Sequence, residues 1–333
     1  MRYFRFILFA LLFISVFYSC NKDLNVNANW KDITIIYGLL DQAEDTTFIK
    51  ITKAFLGNGD ALTFAKIPDS SIYPEKLEVR LEAWAGSTLV QTWANFDTIT
   101  KYKDTSKTAI FYPGNLIYYK VTGHLDSTYT YWLKVRHKKT GVVDSAVTHL
   151  IYGFKVDSPD PFYKQVEYAP GKNFKVSFFQ ATGGKRYQLV ARIHYRENSS
   201  GESTEKTVNW VIFNNFQVTN PNLIPIPPWS ISNSGSSFYT ALKSNIPINH
   251  AVSSRLVLYV DYIFSVASDD LNTYMDASGP SNSIVQERPS FSNIFNGIGL
   301  FTSRYIYELD TLRLGPSTKG YISADTALIH RGF

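Results

Sequence analysis

The sequence predicts a mainly β protein built as two β-rich domains, the second carrying short helices as well. Three observations lead there. Aromatic residues make up 15% of the chain and are dominated by 22 Tyr and 23 Phe, residue types that suit a pleated, half-buried surface. The chain divides into strand-length apolar runs separated by Gly, Pro, Asn and Asp. It holds a single cysteine in 333 residues, so both cores must be stable without disulfides. On the order of 310 residues follow the N-terminal leader, enough for two domains.

The leader comes first. Arg2 and Arg5 precede the apolar run FILFALLFISVF, and Ser19 stands immediately before Cys20. A basic segment, an apolar segment shorter than the roughly 20 residues of a membrane-spanning helix, and a small residue at the cut form an export signal over 1–19. The Ser19-Cys20 junction resembles a bacterial lipoprotein signal. That resemblance implies cleavage before Cys20 and acylation of it, with palmitate among the chains. A leftover thiol in an exported protein would be a liability, which favours the same reading. NKDLNVNAN then reads, with Cys20, as a polar tether over 20–29.

The first domain is expected over 30–156. ITIIYGLL, TTFIKITKAFL, KLEVRLEAW and LIYYKVTG are strand-length runs, and the third alternates strictly, with Leu77, Val79, Leu81 and Ala83 on one face. In HLDSTYTYWLKVRHKKTGVVDSAVTHLI, Leu125 precedes Tyr131 by six residues, and Leu133 and Val135 continue its face. This spacing resembles the tyrosine corner of immunoglobulin-like and fibronectin type III sandwiches. The resemblance implies that fold for the first domain, with Tyr131 in a structural role.

DSPDPF and YAPGKN mark a linker over 157–172, and the second domain is expected over 173–333. NFKVSFFQ, RYQLVARIHY, KTVNWVIF and RLVLYVDYIFSV read as strands. SSFYTALKSNIP and SDDLNTYMDASGP read as two short helices, each starting on serine and ending before proline. Period two puts Leu256, Leu258, Val260, Tyr262, Phe264 and Val266 on one face of the last strand. Asp261 then falls on the other face, partly exposed.

SFSNIFNGIGLFTSRY resembles the "S-N-I-x-N-G-x-G-x-F" segment of an uncharacterised Bacteroidetes outer-membrane lipoprotein family often encoded beside TonB-dependent receptors. ITIIYGLLDQAEDTTFIKITKAF resembles that family's opening strands. The resemblance implies a fold and a location, and carries no catalytic residue. Gly297 and Gly299 are expected to serve a bulge or a close backbone approach.

Little in the sequence points to catalysis. HExxH, GxxxxGK[ST], GxSxG and Cys-His metal spacings are absent, and no metal or cofactor is expected. Asp269, Asp270 and Asp276 lack calcium-loop spacing, and the first two read as first-turn acids of a helix. His149 and His194 read as satisfied or solvated strand residues. The formal charge of +5 loses Arg2 and Arg5 with the signal and becomes +3, and the RHKK cluster at 136–139 is the longest basic run. Nucleic acid is not an expected partner.

Trp229 in a proline-rich loop, with Trp210 and Tyr239 in neighbouring elements, forms the candidate ligand surface for a sugar or other flat molecule. The expected function is a non-enzymatic, lipid-anchored outer-membrane component that binds or assists a TonB-dependent transporter, on a membrane face the sequence leaves open. A structural or adhesive surface protein is the alternative, followed by a hydrolase of surface polymers.

Overall fold

A computed structural model describes residues 31–56, 61–94, 96–102, 115–199, 201–223, 227–279 and 290–333. The expected signal, Cys20 and the expected tether lie outside the described residues. Among the described residues the protein is mainly β, with 54% strand, arranged in several sheets, and 15% helix. Among the described residues, no helix is long and apolar enough to cross a membrane.

The first half carries β1 (Lys31–Leu40), β2 (Thr46–Leu56), the short helices α1 (Ala61–Ala65) and α2 (Pro68–Ser71), β3 (Glu78–Ala85), β4 (Thr88–Ala94), β5 (Asp97–Tyr102), β6 (Asn115–Thr122), β7 (Thr130–Arg136) and β8 (Val143–His149). Strands β4-β3-β7-β8 form one sheet, and β5-β6-β2-β1 pair in that order in another. Their inward faces share a single apolar cluster: Ile36, Ile49, Tyr119 and Val121 from one sheet meet Val79, Leu81, Leu133 and Val135 from the other. The alternation seen in KLEVRLEAW is the cause, since successive strand residues point to opposite faces. Tyr131 is fully buried, and its hydroxyl donates to the Asp126 carbonyl at 2.9 Å. Burial, outweighing that hydrogen bond, pushes the phenol up to about 12.

The second half comprises β9 (Lys155–Ser158), β10 (Gln165–Val166), β11 (Asn173–Phe179), β12 (Arg186–Ser199), β13 (Glu202–Gln217), β14 (Trp229–Ser234), α3 (Ser236–Asn245), β15 (Val252–Ala267), α4 (Asp269–Ser278), β16 (Ile298–Leu314), α5 (Pro316–Ala324) and α6 (Thr326–Ile329). The long strands β13-β12-β15-β16 form a sheet whose inner face is covered by the three-stranded β14-β11-β9 sheet and by α3. Both expected helices form at α3 and α4. Ser268 caps α4, its hydroxyl oxygen accepting the Leu271 N–H at 3.2 Å.

Strand β16 joins the halves. Its first part, from Ile298 to Ser303, pairs in parallel with β1, and its second, from Arg304 to Leu312, pairs antiparallel with β15. One sheet therefore runs from β13 through β16 to β5. The expected partition changes accordingly. Ile294 and Phe301 belong to the first core although they lie late in the chain. Phe154, which precedes the expected linker, belongs to the second core. The 157–172 segment is packed structure too: Val166 and Tyr168 are core residues, and the Tyr168 hydroxyl meets that of Tyr262 at 2.6 Å. The prolines there shape turns between buried strands.

The glycines at the junction show why it closes. A side chain at Gly299, where φ is +121°, would place Cβ 2.0 Å from the Ile36 carbonyl, and one at Gly297 would place it 2.8 Å from that of Thr34. Gly38 leaves room for the Phe301 ring, which a Cβ would meet at 2.9 Å, and the two residues are register partners. The Asn293 side chain stands in for a further strand: its Oδ1 accepts the Phe301 N–H at 2.9 Å and its Nδ2 donates to the Phe301 carbonyl at 2.8 Å. The segments ITIIYGLL and SFSNIFNGIGLFTSRY thus pack against each other.

Strand β15 departs from simple alternation. Its pairing with β12 shifts between Tyr259 and Val257, so Val257 is buried while Leu256 is 58% exposed. A bulge moves every residue before it to the opposite face, which takes Leu256 out of the expected core.

Candidate functional site

The expected ligand surface is corrected by packing. Trp210 and Tyr239 are core residues. Trp210 packs edge-on against Tyr168, and the Tyr239 hydroxyl donates to the Tyr168 carbonyl at 2.6 Å. Trp229 is half-buried, its indole N–H donating to Gln180 Oε1 at 2.9 Å and its ring packing on Phe216. The polar loop around Trp229 leads into β14, which turns the indole inward, so these three residues form no open platform.

Asp261 is also buried, at 5% exposure, in place of the partial exposure expected. Its Oδ1 accepts the Thr311 N–H at 2.8 Å, beside a register shift where Thr311 adopts φ 55°. Its Oδ2 lies 2.8 Å from His194 Nε2, while His194 Nδ1 lies 2.9 Å from Glu205. Tyr259 stacks on the imidazole at 4.3 Å between centroids and donates to the same Glu205. The His194 bond, followed by the Tyr259 bond, holds the Glu205 carboxyl below the usual range. Every hydrogen-bonding atom of the imidazole is occupied by a carboxylate, and the cluster ties β12, β13, β15 and β16 together across the sheet.

In the first half, His137 Nε2 faces both Asp144 at 2.7 Å and Thr34 Oγ1 at 3.0 Å. A nucleophile–base–acid relay needs the two ring nitrogens to serve different partners, and here one serves both. Among the described residues, no group of three His, Cys, Asp or Glu could hold a metal ion. Asp270 accepts from Asn293, and Asp276 pairs with Arg186.

One surface open to a ligand lies where the halves meet. A groove of about 520 Å³ is lined by Tyr37 and Leu39 of β1, Phe48 and Lys50 of β2, Tyr118 of β6, Leu300 and Arg304 of β16, and Leu271 and Tyr274 of α4. This volume falls within the roughly 300–1,000 Å³ of small-molecule sites. Strand alternation builds its floor: Ile36, Leu40, Ile49 and Tyr119 fill the first core, so Tyr37, Leu39, Phe48 and Tyr118 face outward. Helix α4 makes one wall, where the Tyr274 hydroxyl donates to that of Tyr37 at 3.3 Å and the rings meet edge-on at 6.1 Å. That hydrogen bond, with burial behind it, pushes the Tyr37 phenol up to about 12.

Cations overlie this aromatic floor. Lys101 Nζ sits 5.1 Å above the Phe48 ring and 5.5 Å above that of Tyr118. Arg304 Nε lies 3.9 Å from Asp41. Asp41 is 2% exposed, and its two oxygens accept the N–H groups of Ala43 at 3.0 Å and Ile306 at 3.2 Å. Burial pushes its carboxyl above the ordinary value against the pull of those bonds. Asp41 therefore pins β1 to β16 where that strand passes from one half to the other, and the accessible charges beside the rings are the cations together with the exposed Glu44.

The aromatic groove was missed in the sequence because each of its residues alternates with a core residue. The available signal was the outward face of ITIIYGLL and TTFIKITKAFL, which presents Tyr37 and Phe48 where an open sheet would place polar groups. No family model matches the chain, and no curated protein matches it.

Proposed function

We propose that the protein is a lipid-anchored, non-enzymatic binding or accessory component of the outer membrane, working with a TonB-dependent transporter through the groove between its halves. The observation that carries the binding role is that groove: exposed Tyr37 and Phe48, with Tyr118, Tyr274, Lys50 and Arg304, around an open hollow built from both halves. The anchor rests on the export signal and Cys20, and the partner on the family resemblance.

The first half fits an immunoglobulin or fibronectin type III-like sandwich. Support comes from the β1-β2-β6-β5 and β4-β3-β7-β8 strand orders and from the Tyr131 hydroxyl bonded to the backbone five residues upstream. Such a frame suits a stalked module holding a contact surface away from the membrane.

Two measurements test the proposal. Radiolabelled palmitate should enter the wild-type chain and be absent from Cys20→Ser; equal labelling of both removes the anchor. Affinity capture from gently solubilised membranes should recover an outer-membrane receptor, and Tyr37→Ala with Phe48→Ala should reduce its yield. Capture that never recovers a receptor removes the transporter role and leaves an adhesive or structural one.

A further inference from the structure

The end of the first half at which β1 begins gathers the RHKK run with lysines from other parts of the chain. Thr34, near the start of β1, accepts or donates hydrogen bonds at 3.0 Å to both His137 and Tyr73. This places the β7–β8 hairpin tip beside the start of β1. A hollow of about 220 Å³ at this end is lined by Lys53, Lys76, Lys138 and Lys139 with a single acid, Glu75. It shares Lys76 and Lys138 with a neighbouring hollow of about 490 Å³, which adds Arg80, Lys134 and Arg136 against Glu78.

Surface ion pairs offset part of this charge. Lys139 meets Glu75 at 3.1 Å and Arg136 meets Glu78 at 3.6 Å, with each of these side chains more than half exposed. Pairs so exposed are held weakly. Lys134 is bound to the buried Glu82. Cations still exceed carboxylates around both hollows, and Lys138 is exposed with no carboxylate partner among the described residues.

We propose that this tether-proximal basic end docks on anionic lipid headgroups, adding an electrostatic contact to the acyl anchor. The inference rests on the lipidation of Cys20 proposed above. Lys31 follows Cys20 by eleven residues, so the acylated end lies within about 40 Å of the start of β1, and the membrane is within reach of this face. Clustered Lys and Arg beside an anionic leaflet attract it within about one Debye length, roughly 8 Å at physiological salt. The lipid phosphates supply the ligand chemistry. The open, shallow setting of the lysines suits a charged plane better than one enclosed ion.

The test uses the mature chain with Cys20→Ser, so that binding needs no acyl group and the outcome is separate from that of palmitate labelling. Cosedimentation is measured with phosphatidylcholine vesicles and with vesicles containing phosphatidylglycerol. Binding should require phosphatidylglycerol and weaken as salt is raised. Lys138→Gln and Lys139→Gln should each weaken it by up to about fivefold. Lys185→Gln and Lys319→Gln, in the second half, should leave it unchanged. Equal binding to both vesicle types, or equal losses from all four substitutions, would overturn the docking face.

Discussion

The two parts of β16 are held by different means. From Ile298 to Ser303 the strand lies against β1, and backbone proximity decides the fit: Gly297, Gly299 and Gly38 remove side chains where they would collide, and the Asn293 amide completes the ladder at Phe301. From Arg304 onward it lies against β15, and side-chain burial decides: Leu309, Leu312 and Leu314 enter a core rich in rings, including Tyr168, Tyr187, Phe178, Phe238, Phe264 and Trp210. The contrast teaches that the first contact tolerates no added atom, whereas the second depends on satisfying the polar groups that aromatic packing buries.

Gly299→Val should have the largest effect. It combines a left-handed φ with a backbone collision at 2.0 Å, and a loss of about 4 kcal/mol or more is expected in chemical denaturation. A loss below about 1 kcal/mol would mean that β1 and β16 adjust freely, and the contrast would disappear.

In the second half, Arg255 is 2% exposed in its side chain and bonds the buried Glu197 at 2.8 Å. It also donates to the Pro247 carbonyl. The Lys206 bond, with Arg255 adding to it against the opposing effect of burial, holds the Glu197 carboxyl below its ordinary range. Arg255→Met leaves that carboxylate without its buried partner, and a loss of about 3–5 kcal/mol is expected from the same measurement.

The two buried tyrosines sharpen the comparison at a smaller scale. The Tyr131 hydroxyl donates to the carbonyl of the exposed Asp126, which water can reach once the bond is gone. The Tyr187 hydroxyl accepts the N–H of the fully buried Ala181 at 2.9 Å and donates to the Gly184 carbonyl at 3.1 Å. Tyr187→Phe should therefore cost about 1–3 kcal/mol and Tyr131→Phe about 1 kcal/mol. The reverse order would show that the two turns are not held as described.

The smallest effect is a pH dependence. Asp325 caps α6 through the N–H groups of Ala327 and Leu328 and binds Lys243 of α3. The Lys243 bond leads the causes that lower its carboxyl below the ordinary value. A depressed folded pKa adds stability above the unfolded value, about 4, and that stability is lost as pH falls through the folded value. Asp325→Asn should flatten the decline between neutral and strongly acidic pH, read as the shift of the denaturation midpoint. An unchanged slope would assign the decline to other groups.

Much of the local structure was legible in the sequence. Alternation in KLEVRLEAW marked an inward face, the serine of SDDLNTYMDAS marked the α4 cap, and the spacing from Leu125 to Tyr131 marked a tied turn. What was not legible is long-range. Nothing near Ile298 says that it will pair with Ile35 of β1, because parallel pairing is specified by a partner far away in the chain. Trp229 was read from the polarity of its loop, while its partner Gln180 lies 49 residues upstream. The β15 bulge reversed the face of Leu256 because one shifted residue inverts a period-two pattern. The groove was hidden for the same reason, since it assembles residues that are separated in sequence and individually ordinary, while the basic end joins the visible RHKK run to lysines that lie elsewhere in the chain.

Photo-crosslinking in intact cells tests the groove as the contact surface most directly. A photoreactive residue is placed at Phe48 or Tyr274 in the groove and, as a control, at Trp132, which is 39% exposed on the outer face of the other sheet. Light-dependent adducts of the size expected for an outer-membrane receptor should arise from Phe48 and Tyr274 and not from Trp132. Adducts from Trp132 alone, or equally from all three positions, would contradict it.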